Sequence, residues 1–162
     1  MILPYQISLN YVLYKRMGKV VQIGIADAKG SPIKSVNNIE ILKDKGILND
    51  RKFKENNQKE RQITLIEIEN INHFNDISKT NIRPIDFRRN IITENIKLNE
   101  LVGKEFFVGE IKLKAHDLCR PCKNLQETLQ QKNTVEELLH TGGLRCEILS
   151  SGKICVDDQI IS

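Results

Sequence analysis

The chain has 162 residues, 40% hydrophobic and 28% charged, which suits one globular domain with its own core and excludes a disordered or fibrous class. No apolar run approaches the roughly 20 residues that cross a bilayer as a helix, so a helical membrane protein is excluded as well. The formal net charge of +4 is modest, and Lys and Arg alternate with Asp and Glu along the length. With no basic tail and no aromatic platform between the charges, nucleic acid is not indicated as a partner.

Residues 1–17 read as an N-terminal extension ahead of a single domain spanning 18–162. Ile7, Leu9, Tyr11 and Leu13 alternate as a strand would, but a helix packed outside the domain fits equally. Lys15 and Arg16 follow the apolar part rather than precede it, the reverse of a secretory signal, so the expected location is the cytoplasm.

Lys19–Ala26 is β-branched and ends at the turn signal Asp27 to Gly30, which predicts a strand. Ile33–Leu42 partly alternates and is expected to pair back onto it. Gln62–Ile66 reads as a short strand leading into a helix through about Phe74, and Asn90–Thr93 as another strand. Lys104–Val108 and Ile111–Ala115 flank Gly109-Glu110, a two-residue hairpin signal. Leu125 and Leu129 have helical spacing. Thr134-Val-Glu-Glu137 fits a capping box that should start a helix through Leu139. Leu144–Leu149 and Lys153–Val156, separated by Ser151-Gly152, predict a second hairpin. Many short strands with a few short helices point to a mostly β fold, a β-barrel rather than a doubly wound sheet.

Four cysteines, Cys119, Cys122, Cys146 and Cys155, lie in the C-terminal third. In a cytoplasmic protein such a group suggests metal or sulfur chemistry more than structural disulfides. The Cys119-x-x-Cys122 spacing lets both sulfurs reach one metal, or lets one thiolate attack a disulfide held by the other. Arg120 between them favours a thiolate, which can hold a soft metal or a sulfane sulfur. A structural zinc on all four cysteines is the competing reading, although Cys146 and Cys155 are spaced too widely for a usual zinc knuckle and read as small buried hydrophobes. Phe87-Arg88-Arg89-Asn90 offers two guanidiniums and a carboxamide that could bind phosphate and a heterocycle, or serve only as a strand edge. Asp50 beside Arg51 after Gly46 could orient a guanidinium, or mark a surface turn. His116 is the histidine nearest the cysteine pair, with a packing or surface role favoured over proton transfer.

In order, Gly46-Ile47-x-x-Asp50-Arg51, Arg61-Gln62-Ile63-Thr64-Leu65, Phe87-Arg88-Arg89-Asn90-Ile91, Leu101-Val102-Gly103-Lys104, Leu118-Cys119-Arg120-Pro121-Cys122, Gly143-Leu144-Arg145 and Gly152-Lys153-Ile154 resemble the MOSC family over residues 19–161. The resemblance implies a β-barrel that binds the molybdenum cofactor, a molybdopterin, through a cysteine whose position falls on Cys122. Arg88 and Asn90 fall on the family's cofactor-holding segment. Arg51, Cys119 and Arg120 complete the implied cofactor-binding set, the two arginines supplying positive charge for its phosphate. The implied activity is reduction of N-hydroxylated compounds, with electrons from a separate donor. The alternative is a non-catalytic sulfur carrier or cofactor chaperone holding a persulfide on Cys122, supplied by a separate cysteine desulfurase. Pyridoxal phosphate is not expected in this domain. Two positions depart from the family's early turn, where Asn49 replaces a glycine and Lys52 a histidine.

Overall fold

A computed structural model describes residues 17–162; the proposed extension therefore lies outside the described residues, except Met17. That residue begins strand β1, Met17–Ile25, in which Val20 and then Ile23 turn inward. A change from even to odd inward positions needs one extra residue, and the pairing of β1 with β6, Ile91–Glu94, shifts register between Val20 and Gln22. This bulge keeps both apolar residues in the core while Val21 faces outward.

The strands β5 (Ile63–Glu67), β7 (Glu105–Val108), β8 (Ile111–Leu118), β9 (Leu144–Ile148) and β11 (Gln159–Ile161) complete a closed ring of seven. Its order is β1-β11-β7-β8-β9-β5-β6 and back to β1, antiparallel except for the parallel pair β5 and β6. Closure leaves no open edge in the ring. The expected mostly β barrel with a few short helices is thus present. The hairpin at Gly109-Glu110 forms as predicted, with Val108 opposite Ile111 and Gly109 at φ 57°.

A parallel pair needs a crossover, and α1 (Ile68–Ser78) supplies it between β5 and β6. It runs four residues beyond the predicted end at Phe74 and packs Ile71 and Phe74 outside the barrel. There they meet Ile66 and Ile92 of the strands and Leu125 and Leu129 of α2, Lys123–Leu129. Leu65 and Ile91, the neighbours of Ile66 and Ile92, face the barrel interior instead. Burial on both faces explains why these two strands read as continuous apolar runs.

The stretch Ile33–Leu42 is two strands. β2 (Lys34–Val36) pairs with β1 as expected, but β3 (Asn38–Leu42) leaves for a second sheet with β4 (Gly46–Ile47) and β10 (Gly152–Cys155). Ile39, Ile41, Ile47 and Ile154 of that sheet join the barrel's apolar core. The predicted hairpin of Leu144–Leu149 with Lys153–Val156 does not form. β9 pairs with β8 and β5, and β10 pairs with β3. Ser150 and Ser151 divide them: their hydroxyls accept the amides of Lys112 and Lys43, which lie in different sheets' neighbourhoods. The capping box is also corrected. Asn133 is the N-cap, the Thr134 hydroxyl donates to the Gln131 carbonyl, and helix α3 is only Thr134–Glu137. Among the described residues no helix is long and apolar enough to cross a membrane.

Candidate functional site

The site sits where β8 leaves the barrel. His116 is the extra residue where the β8 and β9 register shifts, and Asp117, opposite Arg145, receives two N–H groups of that guanidinium on its carboxylate. That hydrogen-bonded guanidinium holds the Asp117 carboxyl below its usual range. Cys119 follows, buried, with its amide donating to the Gly143 carbonyl at 2.7 Å. Glycine is required there. Gly143 has φ 109°, and a Cβ at this position would lie 2.2 Å from the Leu65 carbonyl oxygen. A Cβ on Gly142 would meet the Cys119 carbonyl at 3.0 Å, so the glycine pair lets the cysteine loop lie flat against the barrel end.

Residues 119–122 make neither a turn nor a bend. No disulfide joins the pair: Cys119 is buried and Cys122 is exposed at the start of α2. Burial pushes the Cys119 thiol up in pKa, while Arg89, Lys52 and Arg145 pull it down. Cys146, buried in β9, is pushed well up by burial. Cys155 lies in the second sheet. Among the described residues no group of three or more His, Cys, Asp or Glu side chains is placed to hold a metal ion, so the four-cysteine zinc has no cluster to occupy.

Opposite the cysteine loop lies the turn from Gly46 to Lys52. Asn49 takes φ 67°, a left-handed conformation that asparagine tolerates almost as glycine does. Its substitution for the family's glycine therefore keeps the turn. Asp50 is buried, accepting the amides of Ala26 at 3.0 Å and Lys52 at 3.2 Å, and the Arg51 amide donates to the Ala26 carbonyl. Lys52 is partly buried; burial lowers its ammonium pKa, and Arg51 and Arg89 lower it further. None of Arg51, Lys52, Arg88, Arg89 or Arg120 has a carboxylate within ion-pair distance among the described residues. Around Lys52 the repulsion from Arg51 and Arg89 outweighs the attraction of Asp50, which suits this surface to an anion.

The Phe87–Asn90 segment is divided by its backbone. Arg88 is held at φ 61°, a conformation costing a non-glycine residue about 1–2 kcal/mol, so Arg88 and Arg89 diverge. Arg89 turns to the cysteine loop and donates Nε to the Gly142 carbonyl at 2.8 Å. Arg88 donates Nη1 to the Ser31 carbonyl, lines a cavity with the C-terminal end of α2, and leaves Nη2 buried without a partner. Asn90 is a brace: its Oδ1 accepts the Thr64 amide and hydroxyl, and its Nδ2 donates to the Gly24 carbonyl. It thereby ties β1, β5 and β6 beneath the site. Arg120 is exposed beside Cys122. His116 is engaged by the buried Glu147 carboxylate at 2.9 Å. The structure adds Lys52 and Arg89 to the predicted set; Arg89 was legible only as the second of two adjacent arginines, and Lys52 only as a departure.

The MOSC domain profile matches residues 48–161. The chain belongs to the MOSC family. Among solved structures, this MOSC protein is similar to the YuaD protein of Bacillus subtilis, with 21% identity and a TM-score of 0.79 over 89% of this chain and 94% of that one. YiiM of Geobacillus stearothermophilus is 13% identical at a TM-score of 0.72, covering 89% and 74% of the two chains. YiiM of Escherichia coli is 15% identical at 0.65, covering 88% and 68%. At these identities the likeness carries the fold. No curated protein matches.

Proposed function

We propose that this MOSC protein binds the molybdenum cofactor through the Cys122 thiolate and takes part in reducing N-hydroxylated compounds. The observation supporting this reading is an exposed thiol at the edge of a rim whose cations make no ion pair among the described residues. The donor set fits the group: a soft sulfur ligand for the metal and a positive surface for an anionic phosphate. Bound, the cofactor supplies two-electron chemistry at a metal that can take up oxygen.

The chain's own residues then divide the work. Cys122 is the soft ligand. Arg51, Lys52, Arg89 and Arg120 attract and orient the anionic part. Cys119 stays a buried thiol, kept protonated by its surroundings and so out of competition for the metal. Asn90 holds three strands in register below, and Arg89 anchors the Gly142 carbonyl that the cysteine loop rests on. Converting R–NHOH to R–NH2 and water consumes two electrons and two protons, and the electrons come from a separate donor.

The exposure of Cys122 also favours a second reading, a carrier whose persulfide is reachable by a cysteine desulfurase. Elemental analysis of protein made in a cofactor-producing host separates the two. Molybdenum near one equivalent, lost in Cys122→Ala and kept in Cys119→Ala, supports cofactor binding. Cyanide-labile sulfur without metal supports the carrier. Retention of molybdenum by Cys122→Ala removes the central assignment, and stoichiometric zinc removes both readings.

A further inference from the structure

A cavity of about 450 Å³ opens on the side of α2 away from Cys122, within the roughly 300–1,000 Å³ usual for small-molecule sites. Cys122 precedes the first turn of this helix, while Thr128, Leu129 and Gln130 at its end line the cavity. Seven residues at about 1.5 Å each separate the two by about 10 Å. Pro32, Ile33, Ile82 and Leu129 give the cavity apolar walls.

Its charged groups are unequal. Arg83 donates Nε and Nη2 to the two Asp86 oxygens, at 2.9 and 3.0 Å, and is thereby neutralised. Arg88 has only the Ser31 carbonyl on Nη1, and its Nη2 finds no acceptor. The backbone presents this side chain from a left-handed conformation at φ 61°. That conformation caps the Pro84–Phe87 turn through the Arg88 amide on the Ile85 carbonyl, and a buried guanidinium N–H left without an acceptor beside a cavity marks a ligand contact.

We propose that this cavity is a separate binding site for a small carboxylate with an apolar body, its carboxylate received by Arg88. With Asp86 ion-paired to Arg83, Arg88 is the guanidinium of this cavity that has no carboxylate within ion-pair distance, and its planar fork matches one. The walls formed by Ile82 and Leu129 call for a ring or short alkyl body rather than a bare ion. A carboxylate received by this guanidinium gives Nη2 the acceptor it lacks. The assignment does not depend on what Cys122 holds.

The test is an amide-resolved NMR titration of the full chain with benzoate, its uncharged twin benzamide, and inorganic phosphate. Benzoate is expected to shift the amides of Ile82, Leu129 and Gln130 saturably, with benzamide about tenfold weaker or worse. Arg88→Gln should weaken benzoate by a similar factor. Thr128→Trp, a change at an exposed helix position that fills the cavity, should abolish binding without disturbing the fold. Cys122→Ala should bind as the parent does. Non-saturable shifts, equal binding of benzamide, or full binding by Thr128→Trp would overturn the site. Phosphate binding as tightly as benzoate would overturn the apolar-bodied ligand.

Discussion

The two halves of the rim treat their charges in opposite ways. On the β8 and β9 side, Asp117 holds Arg145 and Glu147 holds His116. Across the loop, Arg51 and Arg89 crowd Lys52, and the Asp50 carboxylate near it is already taken by two backbone amides. The first side is self-sufficient, and its charges serve register and shape. The second keeps cations close together at a cost to the fold, which is sensible only if an anion joins them. Charge pairing, more than charge density, distinguishes a structural edge from a binding edge in this molecule.

The strongest way to break the comparison is to remove the shape that both halves share. Gly143→Ala places a Cβ against the Leu65 carbonyl at a positive φ and is expected to cost about 3 kcal/mol or more. Urea denaturation reads this directly, and a loss below about 1 kcal/mol would show that the loop does not need the close approach.

The paired half is sharpened by Asp117→Asn. Both partners are substantially exposed, at 30% and 45% for their side chains, so screening limits the expected loss to about 0.5–1 kcal/mol at pH 7. The Asp117 carboxyl pKa is depressed in the folded state. Its stabilisation is therefore fully present above the unfolded value near 3.9 and disappears as pH falls through the lower folded value. Parent and variant should converge in acid, and a gap that persists below that window contradicts the pairing account.

In the unpaired half the sign reverses. Lys52→Met removes a partly buried cation flanked by two arginines and should leave stability unchanged or raise it by about 0.5–1 kcal/mol, while weakening retention of an anionic cofactor. Because the folded ammonium pKa is lowered, the unfolded chain binds more protons, and the parent gains stability as pH rises toward about 10.4. The variant should lack that rise. Thermal melts from pH 7 to 10 measure both effects, and a clear destabilisation would mean that Lys52 is structural.

Asn49→Gly is the smallest expected change. The residue already holds φ 67°, so glycine should alter stability by only a few tenths of a kcal/mol, whereas Asn49→Val should cost about 1–2 kcal/mol. Equal stability of the two variants would remove the argument that this turn survives its substitution.

Local features were the most legible ones. Gly109-Glu110 between alternating runs is enough to make a hairpin, because turn and register are settled within a few residues. The strand β11 was not legible: three residues become a strand only because β7 and β1 lie on either side of them. Leu144–Val156 looked like a hairpin for the same local reasons as Gly109, and two serine hydroxyls bonded to distant amides sent its halves apart. At the site, the motif around Cys119 and Cys122 was visible as spacing. That spacing does not encode that one thiol is buried and the other exposed.

Composition, turn residues and apolar alternation, all read over short windows, determined by themselves that this is a mostly β domain. The order of seven weak motifs marked its MOSC resemblance. Tertiary structure alone decided which thiol faces water, which arginines make no ion pair and which cavity Arg88 lines. These properties depend on burial and on contacts between residues tens of positions apart, such as Arg89 with Gly142 and Asn90 with Gly24. No local pattern encodes the presence or absence of such a partner, because it exists only once the barrel has closed.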